Sequence, residues 1–356
     1  VDGSGVVVPS NFVDNKLGNS DLKPEKVSEI ELGLDLRLLN NKLGVNISVF
    51  DRTTENLITS RTLPGSSGYT NITVNAGKVS IKGLELDFNY RPIKTQNFKW
   101  QIDANLYADE SLVEELQGDT TEFTYTNVVG GRPQNFAIVG QPLGVMKATR
   151  IDRDAAGNAL IDSDGFYVST IEQEIVGDPN ADWTGSLSNT FSYKDFSLGF
   201  TLQYRHGGDL FSQTAATLVG RGVVDPGTNR EGLYVLDGVR ESDGLPNNTQ
   251  ITAINYGFDV FSFGPGEIQI FDGTTIRLSE VNLNYNVPQS FLEKTSLGSL
   301  SVRLSGFNLL YKAVNMPEAV NFDTNMMSTG VGNAQGIGFL TGPSASRIGL
   351  TIKATF

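Results

Sequence analysis

The sequence predicts an all-β chain: a segment of a transmembrane antiparallel β-barrel with long extracellular loops. Three observations predict it. The last eleven residues, Ser346–Phe356, alternate without a break. Ile348, Leu350, Ile352, Ala354 and Phe356 fall on one face; Arg347, Gly349, Thr351, Lys353 and Thr355 fall on the other. Such a period gives a strand one apolar and one polar surface. Ending on an aromatic in the apolar register suits a lipid-facing strand, so 346–356 is read as a terminal barrel strand. Second, similar segments recur. At about eleven residues each, roughly 3.3 Å per residue and a tilt of about 45°, they span about 25 Å, the height of an outer-membrane apolar band. Soluble strands are usually about five or six residues. Third, short and long connections alternate along the chain, as periplasmic turns and outer loops do.

The segments follow in order. Glu29–Leu39 sets Ile30, Leu32, Leu34, Leu36 and Leu38 against polar neighbours. Asn40-Asn41 tolerates positive φ and closes a two-residue hairpin with Lys42–Arg52. Ile81–Arg91 is ended by Pro92, which cannot donate to a ladder. Asn97–Tyr107 answers it. Trp183–Tyr193 and Phe196–His206 flank the turn Lys194-Asp195. Thr275–Val287 shifts its apolar phase between Leu278 and Val281, the mark of a β-bulge. Leu300–Leu309 is its partner, and the C-terminal segment is the ninth strand. The long links are 53–80, 108–182, 207–274 and 310–345. Nine strands leave an open edge, which lipid does not tolerate, so further strands are expected. A soluble β-sandwich also has two-faced strands, but rarely this length or this alternation of links.

Composition narrows the function. No run of the 356 residues is long and apolar enough for a transmembrane helix. Cysteine is absent, which excludes disulfides and thiolate sites. The 27 basic and 40 acidic residues give a net charge of −13, without the basic patch that nucleic acid requires. The single histidine, His206, has no G-x-S-x-G elbow to serve, so no catalytic residue is expected and no enzyme is predicted.

Five segments, in order, carry a family resemblance. Asn19-Ser20-Asp21-Leu22-Lys23-Pro24-Glu25, with Glu29-Ile30-Glu31-Leu32-Gly33-Leu34-Asp35, resembles a barrel motif of TonB-dependent transporters. Asn75-Ala76-Gly77-Lys78-Val79-Ser80-Ile81-Lys82-Gly83-Leu84-Glu85-Leu86 resembles another. Val176-Gly177-Asp178-Pro179-Asn180-Ala181-Asp182-Trp183 is similar to the G-D-x-N-P-D-W segment of the SusC/RagA-like branch from Bacteroidota, with Ala181 in place of the usual proline. Asp272-Gly273-Thr274-Thr275-Ile276-Arg277-Leu278-Ser279-Glu280-Val281-Asn282-Leu283-Asn284-Tyr285 and Gly306-Phe307-Asn308-Leu309-Leu310 are similar to two more segments of that branch. The resemblance implies a barrel of about 22 strands. Residues 1–356 would be its C-terminal part, some nine or ten strands, with neither plug domain nor TonB box. It implies import of a glycan or peptide oligomer across the outer membrane of a Gram-negative bacterium of the Bacteroidota. The partners implied are the plug and remaining strands, TonB, a SusD-like surface lipoprotein and the lipid bilayer. The alternative is a barrel component with a structural or assembly role and no transport.

In a barrel, Arg37, Glu85, Asp87, Lys99, Asp103, Arg205 and Lys353 face the lumen, either solvated or touching substrate or plug. Trp100, Trp183, Tyr193, Tyr204 and Phe356 lie near strand ends, where an interfacial belt is expected. Asp152, Asp154, Asn158, Asp162 and Asp164 gather oxygen donors around Gly157 and Gly165. Calcium takes roughly six to eight oxygens, but an EF-hand count puts Ser163 where a bidentate Glu belongs. The stretch is therefore either a calcium loop or a pair of Asp/Gly turns. No other cofactor is expected. The long links also hold Tyr69, Phe123, Tyr125, Phe166, Tyr167, Tyr234, Tyr256, Phe258, Phe261 and Phe263, for ligand stacking or for packing the loops on themselves.

Overall fold

The computed structural model describes residues 15–124, 133–224, 229–317, 320–325 and 335–356. One sheet dominates. Its nine strands are β1 (Lys26–Leu38), β2 (Leu43–Glu55), β3 (Gly77–Lys94), β4 (Phe98–Leu116), β5 (Trp183–Tyr193), β6 (Phe196–His206), β7 (Thr275–Asn286), β8 (Ser299–Ala313) and β9 (Arg347–Thr355). Spatial order equals sequence order and every pairing is antiparallel, so the sheet is an unbroken meander. Among the described residues it does not close on itself.

Local chemistry explains the short-turn end. Asn40 and Asn41 both have positive φ (54° and 63°), and the Lys42 N–H donates to Leu39 O at 3.2 Å. That is the tight turn whose twist suits a hairpin. Lys194, at φ 50°, helps close the turn between the paired Tyr193 and Phe196. The β7–β8 link takes up a helical turn, Gln289–Leu292. The phase slip in β7 is a bulge: the registers with β6 and β8 both skip Ser279, whose hydroxyl donates to Thr201 O at 3.1 Å.

Two expectations are corrected. Pro92 does not end its strand, which runs on to Lys94. It sits where the β3–β4 register breaks between Tyr90 and Ile93, and a bulge needs no N–H from it. The same two strands also overshoot their predicted outer ends, to Gly77 and Leu116. Beyond Ala108 the sense of the faces changes: Val79 and Val113, on the otherwise polar side, are buried under loops. A reading tuned to one constant alternation stops at that point.

Apolar residues of the sheet are exposed rather than buried. Ile30 is 75% exposed, Leu32 71% and Ile348 78%, and Leu187, Leu198, Leu283 and Leu304 continue the band inward from the edge strands. The packed core lies in the long links. Leu210, Ala215, Val219, Phe261, Phe271, Ala313, Met316 and Val320 form one cluster, Met146, Phe211 and Ile337 another, and Ile161, Leu236, Ile251 and Val260 a third. Helix α1 (Gln213–Gly220) belongs to the first, and the Ser212 hydroxyl caps it by accepting from the Ala215 N–H at 3.1 Å. Among the described residues no helix is long and apolar enough to cross a membrane.

The loop aromatics follow this packing. Phe261 is buried in the first cluster, Phe123 lies against the cluster around Val79 and Val113, and Phe166, Tyr167, Tyr234 and Tyr256 pack on the third. Phe258 and Phe263 pair at 4.7 Å and stay accessible. Tyr125 lies outside the described residues.

Candidate functional site

Residues directly opposite each other in a sheet share a face. By register, the seven charged residues assigned to the polar side do so. Arg37 is opposite Gly44, Glu85 lies between Ser48 and Tyr107, and Asp87 between Asn46 and Asn105. Asp103 lies between Asn89 and Ser188, Lys99 between Lys94 and Ser192, Arg205 between Thr184 and Thr275, and Lys353 opposite Ser301. Asp103 accepts from Asn89 and, at 2.8 Å, from Gln101 Nε2; Arg37 pairs with Asp35 at 3.1 Å. The seven are spread along the wall rather than converging. Four of their neighbours, Asn46, Asn89, Asn105 and Ser188, line a groove of about 210 Å³ with Arg37, Asp87 and Asp103. Such a wall can hydrogen-bond a passing polar chain at many points.

The opposite face carries the aromatic residues in two rows. Trp183 and Tyr204 stand 4.9 Å apart at the long-loop end, beside His206, which is 3.7 Å from Asp182. Trp100 stacks on Phe191 at 5.6 Å toward the other end, with Tyr193 and the Phe196–Tyr285 pair (4.5 Å) below it. Phe356, at that same end, is 93% exposed. Trp183 and Tyr193 bound one strand. Its length is about 33 Å along the chain, or about 23 Å of height at a 45° tilt. The polar Asn189 faces this apolar side, where its Oδ1 accepts from Trp100 Nε1 at 3.0 Å.

At the long-loop end the candidate calcium residues close two turns. Asp154 accepts from the Ala156 and Asn158 N–H groups and from Asn158 Nδ2, each at 2.9 Å; Asp162 accepts from the Asp164 and Phe166 N–H groups. Asp152 accepts from the Arg153 N–H. Among the described residues no group of three or more His, Cys, Asp or Glu side chains is placed to hold a metal.

The quoted motifs meet here, a convergence invisible in one sequence. Asp178 Oδ1 accepts from the Asn180 N–H, and Asn180 Nδ2 reaches Leu143 O. Asp209 Oδ2 accepts from the Asp178 N–H at 2.9 Å, while the Asp209 N–H donates to Asp178 O at 2.5 Å. The Arg277 side chain lies 4.9 Å over the Tyr311 ring, donates to Asn308 Oδ1 at 3.1 Å, and forms a two-pronged pair with Asp323. Both partners are almost fully buried. Arg277 and Asn308 come from two different motifs; neither was singled out as a site residue, although an arginine on a strand's polar side is a usable signal.

Burial pushes the carboxyls of Asp178 and Asp209 up from the usual range, and for Asp209 the charges of Asp178, Asp272 and Asp182 add to it. A carboxyl raised in the folded state stabilises folding below its unfolded value, about 3.9, and that gain is lost as pH rises through the folded value. Asp209→Asn keeps an acceptor for the Asp178 N–H and removes the charge. It is expected to melt higher than the unaltered protein at pH 7, with the difference closing as the pH falls to about 3. A pH series of melting temperatures checks this.

Similarity to known proteins accords with this geometry. Residues 3–237 match the family model described as TonB dependent receptor-like, beta-barrel. This chain belongs to the TonB-dependent receptor β-barrel family. The receptor segment is 29% identical over 318 residues to TonB-dependent receptor P3 of Formosa agariphila, covering 82% of this chain and 30% of that one. It is 26% identical over 212 residues to TonB-dependent receptor SusC of Bacteroides thetaiotaomicron, covering 53% and 20%. In fold it is similar to the RagAB peptide importer in the "closed-closed" state, with a TM-score of 0.67, 18% identity, and coverage of 95% and 36%. The segment thus spans about a third of the length of the first relatives it matches.

Proposed function

We propose that this chain is the wall and outer-loop portion of a SusC-like TonB-dependent importer in the outer membrane of a Gram-negative bacterium of the Bacteroidota. One observation carries the reading. The sheet turns an exposed apolar band, bounded by two aromatic rows, to one side. It turns a continuous polar wall, roofed by packed loops, to the other. The first side is the surface for lipid, with Trp100, Trp183, Tyr193, Tyr204 and Phe356 at its borders. The second is the lumen, where Arg37, Glu85, Asp87, Lys99, Asp103, Arg205 and Lys353 meet water, plug or cargo. The cargo is a glycan or peptide oligomer. The working partners are the plug and remaining strands of the same receptor, TonB, and a SusD-like surface lipoprotein.

The test is uptake by cells. Deleting the gene is expected to abolish import of one labelled oligosaccharide or oligopeptide pool, and a protonophore is expected to mimic the deletion. Purification in detergent should yield a polypeptide about three times as long as this chain, with a lipoprotein attached. Unchanged uptake of every pool would favour a structural role instead.

A further inference from the structure

Two arginines occupy neighbouring positions on the polar wall at its loop end. Arg205 is opposite Thr275, two residues from Arg277, a diagonal spacing of about 7–8 Å. Arg277 is fully matched by Asp323, Asn308 and the Tyr311 ring. Arg205 is not. Among the described residues its one hydrogen bond is from Nη2 to Pro179 O at 2.8 Å, and its buried Nε has no partner. Asp272 acts on it through space, but that carboxylate is already used by the Thr274 N–H and Asn315 Nδ2. A desolvated charge without a matching partner is costly.

The fold nevertheless makes room for it. A Cβ at Gly208 would collide with Arg205 Nη2, and one at Gly273 would come within 3.2 Å of Nε. Arg205 lines a groove of about 300 Å³ with Asn105, Thr184, Ser186, Gln203, Thr275 and Arg277. Those groups donate and accept hydrogen bonds, and no acid lies among them.

The geometry points to Arg205 as the anchor of a carboxylate-binding site on the lumen wall, with the groove's hydroxyls and amides holding the chain that carries the carboxylate. Among the described residues no ion pair neutralises Arg205, and a carboxylate in the groove supplies the counter-charge that the packed side of the guanidinium does not. It comes either from the rest of the receptor or from cargo, as a peptide C-terminus or an acidic sugar. The inference rests on the polar face being the lumen wall.

The test uses the intact receptor, purified in detergent, and its structure by electron cryomicroscopy. A carboxylate of the receptor itself within about 4 Å of the Arg205 guanidinium assigns the internal source. With no such carboxylate, titration calorimetry compares tri-alanine bearing a free C-terminus with its C-terminal amide. The free acid is expected to bind about tenfold or more tightly. Arg205→Gln should remove that preference, and Arg205→Lys, which keeps the charge, should only reduce it. No receptor carboxylate at the guanidinium, together with equal or absent binding of acid and amide, overturns the site. Failure of the transport reading would show separately, in the uptake assay.

Discussion

Arg277→Met in the intact receptor is expected to cost about 3–5 kcal/mol, the largest loss of any single exchange considered for this chain, because it leaves the Asp323 charge buried without its counter-ion, held only by neutral donors such as the Asn325 N–H. The pair ties the segment around Asp323 to the polar wall, where the Tyr311 hydroxyl also donates to Phe322 O and the Ala313 N–H donates to Asn321 Oδ1. Limited proteolysis should therefore cut near 320–325 in the variant and spare the unaltered receptor. The double variant Arg277→Met with Asp323→Leu separates charge from packing. It removes both ions together and should regain most of the lost stability. If the double variant is as unstable as the single one, the ion pair is not what holds the segment.

Leu187→Arg carries the second large effect. Leu187 lies on the apolar face between Ala104 and Leu202, about midway between the aromatic rows. An arginine at the bilayer midplane of a barrel costs about 2–4 kcal/mol. Ser186→Arg, one residue away, points to the polar wall and should cost far less. Urea unfolding of the two variants in lipid vesicles measures the contrast. Equal losses would mean that the apolar face does not meet lipid.

The strands were legible because lipid on one side and water on the other impose one alternation for as long as the strand stays in the membrane. Trp183–Tyr193 and Phe196–His206 accordingly have the bounds expected of them. The overshoot of β3 and β4 was not legible, because above Ala108 the environments of the two faces change and the alternation loses its sense. The loops were legible only in part. Gly177, Asp178 and Asp272 were recognisable as motif residues, but their purpose depends on Asp209, Gly208 and Asn315, which local patterning does not connect to them. Arg277 and Asp323 are 46 residues apart in sequence, and no periodicity joins them. Arg205 was assigned to the polar side from alternation alone; that its Nε is without an acceptor is a property of three-dimensional packing.

The turns at the short end have a kinetic consequence. Hairpins β1–β2, β3–β4 and β5–β6 are closed by a few residues each, so their contacts are local and form on the microsecond scale. The pairings between hairpins must wait for the long links to close. Closure entropy grows only as the logarithm of length, so the link 207–274 costs about 1 kcal/mol more to close than the link 56–76. Assembly is therefore expected to proceed by whole hairpins docking in succession. Insertions in the outer loops should slow that docking only slightly, which leaves the loops free to diverge while the order of assembly stays the same.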